Sequence, residues 1–178
     1  NGLMPTATLI PLQQFLQRPD IEASPAWELL AEGPVQKPMP TIEHSRRQRN
    51  LVNIINAAHS PYEAIQELRC NVGNLSPVPD IAVVAEARLP ATGHLQAAPD
   101  WLIEIRSPEQ STVDLEAKVL HCLKYGTVLA WLVDLQRDRI WVWQEGELDI
   151  LTDTAPLPAL GIVELTVNEV LALTTQRR

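Results

Sequence analysis

The chain has 178 residues, of which 46% are hydrophobic and 20% are charged. This composition is typical of a folded globular protein and excludes an intrinsically disordered chain. The formal net charge of −8 excludes a protein that coats nucleic acid by bulk electrostatics, although bound divalent cations and a small basic patch can reverse the field locally. We expect one domain over residues 1–178, with an N-terminal arm over 1–20 and a core over 21–178.

The sequence contains no sign of a membrane or secretory segment. No apolar run approaches the roughly 20 residues of a membrane-spanning helix, and the first residues lack a basic region followed by a hydrophobic stretch. The two cysteines, Cys70 and Cys122, have no CxxC spacing and are expected to be reduced thiols in the core. These features predict a cytoplasmic protein that does not associate with a membrane.

The first half of the chain shows extended segments around one helix. The arm is expected to be irregular or partly helical, and residues 26–33 and 34–40 are expected to be extended. Thr41 is a candidate N-cap for a helix over 41–60, in which apolar residues recur at helical spacing. Residues 62–72 fit a strand or a helix by periodicity alone, and we favour a strand because a helix there would lack good caps. The β-branched run at 79–86 predicts another strand.

The second half alternates strands with one clear helix. A strand is expected over 99–107, followed by a helix over 112–126 with Gly126 as its C-terminal cap. Two strands, 128–135 and 139–146, are expected to be joined by a tight polar connection. A short strand near 148–151 and a helix near 167–173 complete the chain. This order predicts an α/β (α+β) fold with a mixed β-sheet flanked by helices.

A charge interrupts the apolar strand "PDWLIEIRS". Glu104 lies among Leu102, Ile103 and Ile105, where burying a carboxylate is costly unless it is paired or binds a metal. Side chains on one face of a strand recur about every 6.6 Å, so Asp100 is about 13 Å from Glu104 and cannot share an ion with it. Asp100 is therefore expected to be structural, and an acidic partner of Glu104 must come from another element.

Asp80 is the candidate partner for Glu104. It precedes the apolar run "IAVV", whereas Glu104 ends the run "WLIEI", so two adjacent antiparallel strands would bring the two carboxylates together. Such a pair suits a hard cation such as Mg²⁺, which keeps several water ligands. A site of this kind activates water and neutralises charge on a phosphodiester.

The order of these motifs resembles the Uma-two family, predicted endonucleases that are widespread in cyanobacteria and belong to the restriction-endonuclease-like, PD-(D/E)XK superfamily. The resemblance rests on "PDIAVV", "PDWLIEIRSPEQS", "DLEAKVLHCLKYG" and "AWLVD" in this order. It runs from "WELL" at 27 to "RIWVW" at 139–143, and more weakly to "PLPALGIVELTVNEVL". It implies a restriction-endonuclease-like core with a mixed central sheet.

The resemblance also implies a metal-dependent phosphodiesterase site. Asp80 and Glu104 would hold the metal, together with the backbone carbonyl of Ile105. The superfamily has a lysine two residues after the glutamate, and here Arg106 stands at that place; an arginine cannot act as a general base but can hold a phosphate. Lys118, on the following helix, fits the role of the displaced lysine and would assist the attacking water.

The first long helix opens with "IEHSRRQRN", which contains an acidic residue and a basic cluster. Its "EH" matches the family, where an acidic residue supports the metal, so Glu43 is a candidate ligand. Arg46, Arg47 and Arg49 are the candidate phosphate-facing patch, and His44 is a candidate for either capping or the site.

Each of these residues also has a purely structural interpretation. Glu104 would pair with Arg106 on one strand face, and Asp80 would be a turn residue after a proline. Lys118 would form an i,i+4 pair with Asp114. The arginines would form a solvated helix face.

The resemblance, together with the carboxylate pair, implies an endonuclease that hydrolyses DNA with Mg²⁺, or with Mn²⁺, as its cofactor. The resemblance also implies a homodimer, because such enzymes usually dimerise to cut both strands. The alternative is a nuclease-fold protein without catalytic activity that binds nucleic acid or serves in assembly, which Arg106 and the acidic surface favour. A third alternative is an enzyme of the same fold that acts on RNA or another phosphodiester.

Overall fold

The computed structural model describes residues 10–174, so part of the predicted arm and the last four residues lie outside the described chain. Within residues 10–174, eight strands form two sheets, a six-stranded sheet in the order β3-β4-β5-β6-β7-β8 and a separate hairpin of β1 and β2. The strands are β1 (Trp27–Leu30), β2 (Gly33–Gln36), β3 (Tyr62–Gln66), β4 (Ile81–Ala85), β5 (Trp101–Ile105), β6 (Leu129–Asp134), β7 (Arg139–Gln144) and β8 (Glu147–Thr152).

Four α-helices accompany these strands: α1 (Leu12–Leu16), α2 (Ile42–Ala57), α3 (Thr112–Lys124) and α4 (Val167–Leu171). Helix α2 begins where the sequence predicts, because the Thr41 side chain accepts a hydrogen bond from the backbone N–H of His44. Helix α3 is capped by Ser111, and Gly126 follows its end with a φ of +120°. That backbone conformation favours glycine, as the C-terminal cap prediction requires.

The six-stranded sheet is mixed, as predicted. Neighbouring strands pair antiparallel except β5 and β6, which run parallel. Parallel neighbours need a long crossover connection, and α3 provides it. The antiparallel pairing that would bring Asp80 beside Glu104 is present, since Ile81 of β4 lies opposite Ile103 of β5.

Side chains alternate between two cores on opposite faces of this sheet. Helices α2 and α4 cover one face, where Leu51 and Val167 join Ile103 and Trp131 in one buried cluster. Helix α3 covers the other face, where Val119 packs with strand residues that include Leu102. Because Glu104 shares a strand face with Leu102, its side chain lies on the α3 side of the sheet.

Strand β3 and the C-terminal helix are shorter than the sequence predicts. Strand β3 stops at Gln66, because Glu67 has a φ of +53° and the chain then turns towards residues 68–78. The C-terminal helix ends at Leu171 and continues as a 3₁₀ turn over Ala172–Thr174. Across residues 10–174, no helix is both long and apolar enough to span a bilayer.

Candidate active site

Asp80 and Glu104 lie next to each other at one end of the central sheet. The register that places Ile81 opposite Ile103 also brings the residue before β4 beside the penultimate residue of β5. Asp80 is 3% exposed and Glu104 is 1% exposed, so both carboxylates are buried. The two residue types that the sequence assigns to one site are therefore neighbours in space.

Three groups hold the carboxylate of Asp80. Oδ2 accepts a hydrogen bond of 2.7 Å from the backbone N–H of Ile105 and lies 3.2 Å from Nε2 of His44. Oδ1 lies 2.9 Å from Nζ of Lys37, which reaches the site from just after β2. Asp80 therefore joins the end of β5, the start of α2 and the β1–β2 hairpin, which explains why it is not a simple turn residue.

Glu104 is paired with Lys118 of α3. The Lys118 ammonium forms ion pairs with both Glu104 and Glu28, and all three side chains are buried. Glu28 belongs to β1, and its Oε2 also accepts a 2.8 Å hydrogen bond from the backbone N–H of Val78. Lys118 is thus aimed at the carboxylates of the site and not at Asp114, the structural alternative.

A second hydrogen-bond network also contacts Asp80, and it extends to the exposed Glu67. Lys37 Nζ also donates to Glu67 Oε2 at 2.6 Å, and Gln48 donates to Glu67 Oε1 at 2.9 Å and to the backbone carbonyl of Asp80 at 2.6 Å. These residues and His44 line a cavity of about 320 Å³, the Asp80 cavity. Lys37 and Lys118 also line a neighbouring cavity of about 220 Å³ together with Glu28.

The ion pairs set the charge state of Asp80 and Lys37. Burial raises the pKa of Asp80, but the positive charges of Lys37 and His44 outweigh it and hold the pKa well below its usual range. Burial also lowers the pKa of Lys37, and the carboxylates of Asp80, Glu28 and Glu104 outweigh it and raise the pKa above its usual value. Asp80 is therefore an anion and Lys37 a cation at neutral pH.

The pKa of Glu104 is shifted in the opposite direction from that of Asp80. Burial raises its pKa to about 8, because the attraction of Lys118 does not offset the lost hydration and the proximity of Asp80. Burial lowers the pKa of Lys118, but Glu104 and Glu28 outweigh it and raise that pKa. For His44, burial lowers the pKa, and the hydrogen bond and charge of Asp80 outweigh it to give a net rise.

The donor chemistry of this cluster fits a divalent cation. Four carboxylates, those of Glu28, Glu67, Asp80 and Glu104, are paired with only two ammonium groups. Carboxylate oxygens are the ligands of Mg²⁺, which is commonly bound by one or two of them while it keeps several waters. Oε1 of Glu104 is buried and, apart from its ion pair with Lys118, has no partner within residues 10–174.

A cage made of protein side chains alone is not found. In the described part of the chain, no group of three or more His, Cys, Asp or Glu side chains is arranged to hold a metal ion. The backbone of Ile105, whose carbonyl was a predicted ligand, meets Asp80 through its N–H group. Any metal at this site would therefore need ligands from water, substrate or the backbone besides these side chains.

The predicted phosphate-binding residues do not form one patch. Arg106 does not pair with Glu104; its Nη1 donates to Gln136 at 2.7 Å and lies 3.6 Å from Asp134. Arg47 is buried and donates through Nη2 to the carbonyl of Leu171 and to Thr174. The other two arginines of α2 and the acidic candidate of its first turn are exposed, namely Arg46, Arg49 and Glu43.

Several residues of the cluster are absent from the sequence prediction: Glu28, Lys37, Gln48 and Glu67. Two of these four residues are marked by a pattern in the sequence. Glu28 interrupts the apolar strand "WELL" as Glu104 interrupts "WLIEI", and Gln48 lies three residues before Leu51 on the inward face of α2. Asp100 is structural as predicted, because it accepts from the N–H of Ala85 and pairs with Arg88 at 2.7 Å.

Comparison with known proteins identifies the family and the fold of the chain. A search of curated proteins gives no significant match. A solved structure, described as a "putative nuclease belonging to DUF820" from Anabaena variabilis ATCC 29413, is 34% identical, with a TM-score of 0.85 over 93% of this chain and 99% of that one. The model of the Uma2 family, described as "Putative restriction endonuclease", matches residues 12–173. The chain therefore belongs to the Uma2 family and has its nuclease fold.

Proposed function

We propose that the protein is an endonuclease that hydrolyses DNA phosphodiester bonds with Mg²⁺ or Mn²⁺ as cofactor. The observation that carries this proposal is the buried pair of Asp80 and Glu104, which the sheet register brings together and which Lys37 and Lys118 contact. Membership of the Uma2 family supports a nucleic acid as the substrate.

In this proposal, Asp80 and Glu104 hold the metal, with the Ile105 carbonyl and Glu43 as further candidate ligands. The bound ion would supply Lewis acidity to the phosphate and lower the pKa of a water molecule. The Ile105 amide and His44 keep the Asp80 carboxylate in one orientation, since they hold the same oxygen. A fixed orientation lets the site meet the substrate without reorganisation.

Lys118 acts as a fixed cation. Because its pKa is raised, it stays protonated at neutral pH and cannot take a proton from water. Its ammonium would instead orient the attacking water by hydrogen bonding and stabilise the negative charge that develops on the phosphate. Lys37 lines the Asp80 cavity and supplies a second cation of the same kind.

Arg106, Arg46, Arg47, Arg49 and His44 are the proposed phosphate-binding residues. The exposed Arg46 and Arg49 would contact the DNA backbone, which carries most of the affinity in protein–DNA complexes. A homodimer would place two such sites on one duplex, and light scattering of the purified protein tests that part of the proposal.

Nicking of supercoiled plasmid tests the proposed activity. We expect open circles with Mg²⁺ or Mn²⁺, none with EDTA, and at least about a hundredfold slower nicking by Asp80→Ala, Glu104→Ala and Lys118→Ala. Parallel single-stranded RNA and DNA substrates distinguish the two nucleic acids. The proposal fails if no metal supports cleavage, or if cleavage survives both carboxylate substitutions.

A second candidate is a nuclease-fold protein that binds nucleic acid without cutting it. The observation that favours it is the ion pairing itself, because Lys37 and Lys118 already occupy Asp80 and Glu104. Arg106 at the usual lysine position points the same way. Retained binding of DNA by the wild-type protein without nicking under any metal identifies this candidate.

A further inference from the structure

A buried arginine on α2 forms no ion pair within residues 10–174, and the acidic group that acts on it electrostatically is the exposed Glu43 of the same helix. Arg47 is 5% exposed, and its Nη2 bonds the Leu171 carbonyl and Thr174, neither of which is charged. Within residues 10–174, its Nε and Nη1 have no hydrogen-bond partner, and no ion pair reaches it. Buried guanidinium groups are normally paired, because an uncompensated buried charge is costly.

The unpartnered nitrogens of Arg47 belong to a larger set around one cavity. Arg47, Arg106 and His44 all line a cavity of about 320 Å³, the Arg47 cavity, between the start of α2 and the loop after β5. Nε of Arg106 and Nδ1 of His44 are also buried and have no hydrogen-bond partner in the described chain. Three side chains that line this cavity thus carry four buried nitrogens without a hydrogen-bond partner in the described chain.

Two arginines and one acidic residue, Glu43, line this cavity. Arg106 has Asp134 as its only acidic contact among the described residues, at 3.6 Å, and Asp134 is shared with Arg137 at 3.2 Å and Arg139 at 3.6 Å. The Asp134 carboxylate is therefore shared by three guanidinium groups. Water could satisfy the N–H donors but would not neutralise this charge, whereas an oxyanion would do both.

We propose that the Arg47 cavity is a subsite for a phosphate group, held by Arg47, Arg106 and His44. The assignment of that phosphate to a nucleic acid rests on the proposed endonuclease function. His44 lines both this cavity and the Asp80 cavity, so the bound phosphate would lie beside the one that is cleaved. It is either an adjacent phosphodiester or a terminal phosphate, since both present the same oxyanion.

A substitution of Glu43 should change the phosphate affinity in the opposite direction from a substitution of Arg106. It also lines the Arg47 cavity, and its carboxylate would repel a bound anion. Glu43→Gln should therefore tighten phosphate binding, whereas Arg106→Gln should weaken it. A cavity that matters only for folding would not respond in opposite directions to these two substitutions.

Isothermal titration of the metal-free protein with inorganic phosphate at constant ionic strength, in EDTA, tests the subsite. We expect Arg106→Gln to weaken binding at least about tenfold and Glu43→Gln to tighten it about twofold. Arg47→Lys keeps the charge but loses the planar fork, and should weaken binding to an intermediate extent. Thermal unfolding of each variant verifies that it is folded.

Arg88→Gln is the matched control. It removes the same charge but lies at the other end of β5, paired with Asp100. Phosphate binding by this variant should equal that of the wild type. The subsite is disproved if the wild type does not bind phosphate, or if Arg106→Gln and Arg88→Gln bind it equally well.

Short duplexes with 5′-phosphate or 5′-hydroxyl ends identify the source of the phosphate, with the Glu104→Gln variant in EDTA so that no cleavage occurs. A terminal subsite binds phosphorylated ends more tightly, and adding Arg106→Gln removes that difference. An internal subsite binds both duplexes alike and loses affinity for both with Arg106→Gln. If Arg106→Gln weakens inorganic phosphate binding but affects neither duplex, the nucleic-acid assignment is wrong while the subsite stands.

Discussion

Asp80 Oδ2 accepts a 2.7 Å hydrogen bond from the backbone N–H of Ile105. One proposed metal ligand, Asp80, is therefore hydrogen-bonded to the residue that follows the other, Glu104. This hydrogen bond joins the start of β4 to the end of β5. It keeps the carboxylates of Asp80 and Glu104 at the same end of the sheet. The geometry of the pair therefore depends on the sheet and not on a flexible loop. Lys118 then links Glu104 to Glu28 of the β1–β2 hairpin.

Lys118→Met should strongly lower the free energy of unfolding of the metal-free protein. The substitution keeps the apolar stem but leaves the buried Glu28 carboxylate without its cation, and the loss of one partner of a buried ion pair typically costs about 3–5 kcal/mol. The free energy of unfolding, measured by urea titration, reports the loss. Lys124→Met, at an exposed position of the same helix, should cost less than about 1 kcal/mol. Equal losses in the two variants would mean that the Lys118 ion pairs contribute nothing.

Glu104 should make the metal-free protein less stable as pH rises. Its pKa is about 8 in the folded protein against 4.5 ordinarily, so the folded state holds a proton that the unfolded chain releases between these values. The free energy of unfolding should therefore fall across this window, by at most about 1.4 kcal/mol per pH unit from this group. Urea titrations in EDTA at several pH values measure the slope.

Glu104→Gln removes this titration and should flatten the dependence. His44, whose pKa is also raised, contributes in the same direction in both proteins, so the difference between the two slopes isolates Glu104. Glu109→Gln, at an exposed position, is the control and should keep the wild-type slope. A Glu104→Gln slope as steep as that of the wild type contradicts the assignment.

Arg47→Gln should destabilise the C-terminal turn, whereas Arg46→Gln should not. Arg47 donates to Leu171 and Thr174, and its loss leaves these acceptors unpaired at a cost of about 1–3 kcal/mol. Arg46 is exposed, so its replacement should change the free energy of unfolding by less than about 0.5 kcal/mol. Hydrogen exchange of residues 167–174 locates the effect. Equal protection in the two variants would contradict a structural role for Arg47.

The two cysteines should resist thiol reagents in the folded protein. Cys70 and Cys122 are free and buried, and burial raises the pKa of Cys122 to about 12. Only about one thiol in ten thousand is then ionised near pH 8, and the thiolate is the reactive form. A colorimetric disulfide reagent should react with both thiols in urea and with neither in native buffer. Rapid reaction of one thiol without denaturant is the contrary outcome.

The sequence predicts the part of the site that local patterns determine. A β-branched run after Pro79 and an apolar strand interrupted by Glu104 identify two strands and their carboxylates, and the two carboxylates meet if these strands are antiparallel neighbours. Helix α3 is predicted from its apolar stripe, and Lys118 flanks that stripe. Each of these inferences needs only the period of one element.

The remaining residues depend on contacts between distant segments. Lys37 lies among prolines after β2, and Glu67 follows β3 in a left-handed turn; no periodicity marks either position. Their roles arise only when the hairpin folds over the end of the central sheet and brings Lys37 to Asp80. The arginines of α2 show the converse, because they are close in sequence but separate in space. Adjacent positions on a helix point about 100° apart, so these arginines divide between a buried and an exposed face.

Binding of Mn²⁺ to the purified protein, followed by the paramagnetic resonance of the free ion, tests the central claim most directly. We expect one tightly bound ion per chain in the wild type and in Asp100→Asn, and loss of that ion in Asp80→Asn and in Glu104→Gln. These isosteric changes keep the volume of each side chain. The claim is contradicted if the wild type binds no Mn²⁺, or if both carboxamide variants bind the ion as tightly as Asp100→Asn does.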